Sequence, residues 1–334
     1  MKQDNSSGYA ALRDAAALVD RSNSGRIVLT GADRRSYLQG LLTNDIEALS
    51  PGTGCYALML NAQGRMLTDM RVLELGDRIL LDVPRAIAGA IRDHLDRFIF
   101  SEDVQVEDAT GSLATVGIYG PAALDVLRSA GVEEDAPSAL FASTPVRMAG
   151  FEAVLVRSDE IGVPGYDLIV SARGRDGATA ALAAAGAVRA GAADVETVRI
   201  ESGRPRFGVD MDGETIPLEA GLEDRAISRS KGCYVGQEVI VRVQDRGHGR
   251  VARRLVGLTL AADAAVPAAG AAITADGKDV GRVTGAAFSP AMARPVALGY
   301  VHRDFTAPGT KVAVAGSGDA MVAALPLVPD KARD

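Results

Sequence analysis

The sequence predicts an α+β protein built from two mixed lobes followed by a small antiparallel β domain. Three observations carry that expectation. The chain has 334 residues, 47% of them hydrophobic and 24% charged, which is the balance of a globular protein with room for two or three domains. A stretch opening at Gly25 and another running from Leu113 to about Ala193 follow one recipe of β runs interleaved with amphipathic helices. After Arg250 the helical periodicity vanishes and short β runs bounded by Gly, Pro and Asp take over.

The elements follow in order. Ile27 to Thr30 reads as a strand, Gly31 as a turn, and Asp33 as the cap of a helix whose apolar face carries Tyr37, Leu38, Leu41 and Leu42. Turn signals at Asn61 to Gly64 and at Gly76-Asp77 divide the next hydrophobic runs into a β-meander, after which RAIAGAIRDHLDRFIF is an amphipathic helix. The second lobe repeats this with strand LATVGIYG, helix PAALDVLRSAG, strands FEAVLVRS and GYDLIV, and an Ala-rich helix from Asp176 to Ala185. A further helical pattern runs through Val195, Val198 and Ile200. RRLVGLTL, AAITADGKDVGRVTGAAF, VALGYV and TKVAVAGSGDAMVAALPLV then form a barrel or sandwich, so residues 1–250 make the two-lobed region and residues 251–334 the C-terminal β domain.

The net charge of −7 argues against a broad nucleic-acid surface, leaving only a local basic groove open to Arg242, Arg246, Arg250, Arg253 and Arg254. The first twenty residues lack a basic segment followed by an apolar one, and no run approaches the roughly 18 apolar residues of a membrane span, so a cytoplasmic protein without a membrane partner is expected. Cys55 and Cys233 are too few for a disulfide framework, and His94, His248 and His302 are scattered, so no metal site is expected.

Within this frame one motif stands out, KGCYVGQE at 231–238. Gly232 and Gly236 strip side chains from both flanks of Cys233, so that another group can approach the backbone and the sulfur, and Lys231 is close enough in sequence to favour a thiolate. A free cysteine is equally at home as a small buried hydrophobe. Gln237, Glu238 and Arg242 extend the segment. Asp69 follows a glycine turn in an otherwise apolar strand; burial there would raise its pKa and suit it to general acid or base work, whereas a solvated strand carboxylate would do nothing. Glu201 ends a helical pattern before a glycine, and its two oxygens match the paired N–H donors of a pterin or guanine edge, or alternatively a salt bridge with Arg204. Glu219 and Glu223 stand in a Pro/Gly-framed turn that reads as a helix start.

LQGLLTNDI, LNAQGRMLTD, RIESGRPRFGVDM, IPLEAGL and KGCYVGQEVIVR together resemble the YgfZ family of folate-binding proteins, relatives of the aminomethyltransferase, or T-protein, of the glycine cleavage system. The resemblance runs from about residue 17 into the C-terminal domain. It implies three domains, two α+β lobes and an antiparallel β-barrel, around a central hole that takes tetrahydrofolate or a one-carbon derivative, and a role in assembling or repairing iron–sulfur enzymes, including tRNA-modifying ones. It implies further that Glu201 binds the pterin in that hole, that Asp69 occupies the position of the catalytic aspartate, and that Cys233 acts on iron–sulfur client proteins from an exposed loop near the cavity mouth. Lys231, Gln237 and Arg242 would assist as cofactor-binding residues. Two features depart from the T-protein pattern: Thr68-Asp69 replaces paired aspartates, and IGVPGYDL replaces a glycine-rich loop. The first reading is therefore an iron–sulfur maintenance factor. A folate-dependent one-carbon transferase using Asp69 and a non-catalytic scaffold are the alternatives.

Overall fold

A computed structural model describes residues 6–246 and 249–329, the side chains of residues 245 and 246 excepted. His248 and the Arg246 side chain of the expected basic groove lie outside the described residues. From the start, α1 (Ser7–Asp14) and β1 (Ala17–Asp20) precede the first lobe, which runs β2 (Ser24–Thr30), α2 (Arg34–Leu41), β3 (Thr53–Leu60), β4 (Met66–Glu74), β5 (Ile79–Pro84), α3 (Ala88–Asp96) and β6 (Gln105–Asp108). The second lobe follows as β7 (Leu113–Tyr119), α4 (Ala123–Ser129), β8 (Ser143–Met148), β9 (Phe151–Ser158), β10 (Gly165–Ser171), α5 (Arg175–Ala184), β11 (Val188–Arg189) and α6 (Ala192–Glu201). Short helices α7 (Glu223–Ala226) and α8 (Gln237–Val241) lead to β12 (Arg253–Leu260), β13 (Ala272–Ala275), β14 (Lys278–Ser289), β15 (Arg294–His302), β16 (Lys311–Val314) and β17 (Gly318–Ala323).

The first lobe is a sheet ordered β3-β4-β5-β2-β6, the second a sheet ordered β11-β1-β7-β10-β9-β8, and the last six strands close a barrel ordered β12-β15-β14-β13-β16-β17. The expected α+β fold with two lobes and an antiparallel barrel is thus present. The structure adds α1, β1, β6, β8 and β11, which the sequence reading lacked, and β1 crosses to the second lobe, pairing antiparallel with β7 and parallel with β11. Its short apolar run, Ala17 to Val19, is buried on both faces, which a central strand position permits.

Side-chain alternation decides what each face of the first sheet meets. Ile27, Leu29, Ala57, Met59, Met70, Val72, Ile79 and Leu81 pack beneath α2 and α3. The opposite face contributes Val28, Leu58, Leu60, Leu73 and Leu80 to a core shared with Val156 and Ile169 of the second sheet and with Met211, Leu218, Leu222 and Tyr234 of the linking segment. That same face also carries polar residues in register: Tyr56 on β3 stands opposite Arg71 on β4, Arg71 opposite Asp82 on β5, and Asp82 opposite Arg26 on β2. Helix α6 joins lobes to barrel, with Val198 packed among α1 and β1 residues and Ile200 against Leu255, Val296 and Leu298.

Two helix ends depart from the sequence reading. Asp33 precedes α2 as expected but makes no capping bond; its carboxylate accepts from the Asp103 backbone N–H instead. Helix α3 stops at Asp96, leaving Phe100 exposed. None of the helices among the described residues is long and apolar enough to cross a membrane.

Candidate active site

The polar row of the first sheet faces polar groups of the second, and between them opens a cavity of about 420 Å³ lined by Tyr56, Asp69, Arg71, Asp82, Glu160 and Arg225 among others. Asp69 is the expected residue that reaches it. Strand β4 turns its odd-numbered side chains Asp69 and Arg71 to this face, and Tyr56 donates its hydroxyl hydrogen to Asp69 Oδ2 at 2.7 Å. Burial pushes the Asp69 carboxyl up to about 6; the Tyr56 hydrogen bond opposes that rise and the neighbouring Glu160 carboxylate adds to it.

The wall beside Asp69 is held by Arg225. Its guanidinium donates to Asp159 at 2.7 and 3.0 Å and to Glu160 Oε1 at 3.0 Å, and lies over the rings of Tyr56 and Phe141 at 5.1 and 5.2 Å. Arg204 pairs with the same Asp159. On the other side Arg71 binds Asp82, Asp167 at 2.6 Å and Ser158 at 3.2 Å, while Tyr119 donates to Asp167 at 2.8 Å. Sequence reasoning singled out none of Tyr56, Glu160, Arg225 and Arg71. The adjacent acids Asp159-Glu160 at the end of a β run, and a charged pair at alternate positions of apolar β4, were the signals available.

Glu201 requires a correction. It lies at the last turn of α6, wholly buried, and does not line the cavity. Tyr9 donates to both its oxygens at 2.8 and 3.0 Å, Ser289 of the barrel donates at 2.5 Å, and Arg13 of α1 forms an ion pair with it. Three protein donors already occupy both its oxygens, so it ties α1, α6 and the barrel together rather than facing the cavity. The alternative partner Arg204 goes instead to Asp159.

Lys231 also differs from expectation. Its ammonium donates to the carbonyls of Gln39, Leu42 and Asn44 at 2.6, 2.5 and 3.0 Å, which uses all three N–H groups on the end of α2. No donor remains for a thiolate at Cys233 or for a cofactor. Burial lowers its pKa to about 8. Nearby Cys55 is pushed up to about 12 by burial.

The rest of KGCYVGQE docks on the first lobe. Gly236 has φ of 83°, and a Cβ there would stand 2.5 Å from the Asn61 carbonyl, so what approaches this glycine is the chain's own β3–β4 turn. Tyr234 is buried in the shared core, and Cys233 is exposed on the loop before α8. Gln237 opens α8 and Arg242 follows it at an exposed position; neither these two nor Cys233 lines the cavity. Arg253 and Arg254 of the expected basic groove pair with Glu219 at 3.2 Å and Glu223 at 2.6 Å.

Comparison with known proteins agrees with this architecture. Residues 1–231 match the GCVT N-terminal domain, and residues 253–329 match the glycine cleavage T-protein C-terminal barrel domain. An aminomethyltransferase of Streptomyces coelicolor is 30% identical over 308 residues, spanning 91% of this chain and 82% of the relative. One from Geobacillus kaustophilus is 30% identical over 332 residues, spanning 96% and 88%. The crystal structure of aminomethyltransferase T of the glycine cleavage system from Bartonella henselae superposes with a TM-score of 0.85 at 25% identity, covering 97% of this chain and 89% of that one. Two lobes enclosing a carboxylate-bearing cavity, a closing barrel, and matches that run nearly end to end place this chain in the glycine cleavage T-protein family.

Proposed function

We propose that the protein is a folate-dependent one-carbon transferase of the aminomethyltransferase kind, with Asp69 as its proton-transfer group. The observation that carries this reading is Asp69 itself, a carboxyl raised to about 6, oriented by Tyr56 and lining the cavity between the lobes. A carboxyl of that pKa exchanges its proton near neutral pH, which suits it to proton transfer with the reacting nitrogens. The family uses tetrahydrofolate, and the cavity residues fit it. Glu160 has one oxygen on Arg225, leaving Oε2 without a hydrogen-bond partner among the described residues as an acceptor for pterin N–H groups, while the exposed arginines Arg85 and Arg206 suit a carboxylate tail. Bound tetrahydrofolate supplies the nitrogens that carry the one-carbon unit. Tyr56 orients Asp69, and Arg225 fixes the Glu160 carboxylate and stacks on Tyr56. Calorimetric titration with tetrahydrofolate tests the fit: Glu160→Gln weakens binding about ten- to a hundred-fold if Glu160 is the pterin partner, and unchanged affinity removes it from that role.

A second reading, the YgfZ-type iron–sulfur maintenance factor, is favoured by one observation, the exposed Cys233 in KGCYVGQE. A single thiolate cannot hold a cluster, which ordinarily takes about four ligands, so Cys233 would act together with a client protein. Cys233→Ser that fully restores iron–sulfur enzyme activity in cells lacking the native gene would remove this reading.

A further inference from the structure

Two arginines meet one carboxylate on the second-lobe side of the cavity. Asp159, just past the end of β9, is buried, and both its oxygens accept from Arg225, Oδ1 from Nη2 at 2.7 Å and Oδ2 from Nη1 at 3.0 Å. Arg204 donates to the same Oδ2. Two parallel bonds fix a planar guanidinium in direction as well as in place. Arg225 is thereby set to make one further bond, to Glu160 Oε1 at 3.0 Å, and to lie 5.1 Å from the centre of the Tyr56 ring, whose hydroxyl holds Asp69. It has two carboxylate partners. Arg71, the cation two positions from Asp69 on β4, is held in the same way by Asp82 and Asp167. Burial accordingly keeps the Asp69 carboxyl at about 6 with both arginines close by.

We infer that Asp159 is a positioning residue for this site: it directs the Arg225 charge away from Asp69 and leaves Oε2 of Glu160 to a ligand. Arg225 belongs to the four-residue helix α7 and Asp159 to the second lobe, so no local structure orients the guanidinium and the paired bonds to Asp159 do. Without the Asp159 charge, Arg225 keeps only Glu160 of its two carboxylate partners. Its fork then closes on both Glu160 oxygens, and the wall beside Asp69 is more positive by one charge. The charged and titratable groups around Asp69 are Tyr56 from β3, Arg71 from β4, Asp82 from β5, Glu160 beyond β9 and Arg225 from α7. Asp20, Arg21, Arg85, Arg199, Arg204 and Arg206 line the rest of the cavity and are common to every variant below. The effect on Asp69 follows from this geometry alone; the effect on Glu160 rests on the transferase reading, in which Oε2 receives the pterin.

Titration of the Asp69 carboxyl by carbon NMR in the full chain without folate tests the first part, because it needs neither turnover nor a ligand. The wild-type midpoint is about 6. Asp159→Asn lowers it by about one pH unit and Arg225→Gln raises it by a similar amount, since one substitution removes a negative charge from the wall and the other a positive one. Asp159→Glu, which keeps the charge, stays near wild type. A merely structural Asp159 gives another pattern: loosening the wall wets Asp69, so both charge-removing variants move the midpoint down toward the ordinary carboxylate value. That pattern, or a midpoint unmoved in both, overturns the positioning role. Arg225→Gln carries the test by its sign if Asp159→Asn does not fold. Calorimetry with tetrahydrofolate reads the second part: Asp159→Asn weakens binding about ten-fold, and equal affinity overturns the effect on Glu160. Wild type that binds no tetrahydrofolate while the two opposite shifts are present removes the transferase reading and the Glu160 part with it, and the Asp69 part stands.

Discussion

Tyr56 and Asp69 are diagonal neighbours on adjacent strands, and the 2.7 Å hydrogen bond from the Tyr56 hydroxyl to Asp69 Oδ2 fixes the direction in which the carboxyl can exchange a proton. Oδ1 is the oxygen left for chemistry. Tyr56→Phe therefore keeps the ring under Arg225 while freeing Asp69 to rotate. Expected is a loss in kcat of about ten- to a hundred-fold with little change in tetrahydrofolate affinity, read from steady-state kinetics and calorimetry. Equal losses in kcat and affinity would make Tyr56 a binding residue instead.

Asp69 also links stability to pH. Its folded pKa, about 6, lies above the ordinary carboxylate value, so the folded state binds the proton more tightly than the unfolded chain. The stabilisation is fully present below the unfolded pKa and is lost as pH rises through about 6. Wild type should lose about 1–3 kcal/mol from this group between pH 4 and 7.5, an amount reduced by its partial exposure, and Asp69→Asn should not. Urea denaturation at the two pH values compares them. A variant less stable than wild type at pH 7.5 would contradict the assigned burial.

Glu201 holds three parts of the fold rather than a ligand. Glu201→Gln should leave tetrahydrofolate affinity within about two-fold. Removing one partner of a buried ion pair with Arg13 should also lower unfolding free energy by about 3–5 kcal/mol. Denaturant melts and calorimetry read the two effects separately. A large affinity loss in a stably folded variant would return Glu201 to the cofactor.

The two cysteines should differ in reactivity. Cys55 is pushed up to about 12 by burial and Cys233 is exposed, so iodoacetamide at pH 7.5 should modify Cys233 first. Because the Lys231 ammonium is bound to three carbonyls at the end of α2, Lys231→Met should lower Tm and leave the Cys233 alkylation rate unchanged. A slower rate would restore the lysine as a thiolate partner.

These contrasts show what local sequence carries. The strand holding Asp69, the barrel after Arg250 and the helix ending at Glu201 are legible because alternation, turn residues and helical periodicity are properties of neighbouring positions. What Glu201 meets is not legible, since Tyr9 lies 192 positions away. Lys231 and Gln39 are likewise 192 positions apart. The same glycine pattern that suggests an open approach to a sulfur also suits close packing of backbone on backbone, and at Gly236 the packing reading holds.

The most direct test of Asp69 as the proton-transfer group is tetrahydrofolate-dependent turnover by wild type, Asp69→Asn and Cys233→Ser, with 5,10-methylenetetrahydrofolate followed by chromatography in the presence of candidate amines. The transferase account predicts turnover by wild type that rises with pH through about 6. It further predicts a loss of about a hundred- to ten-thousand-fold in kcat for Asp69→Asn with folate still bound, and an unchanged rate for Cys233→Ser. Turnover by Asp69→Asn equal to wild type, or none by wild type with any amine, would contradict it.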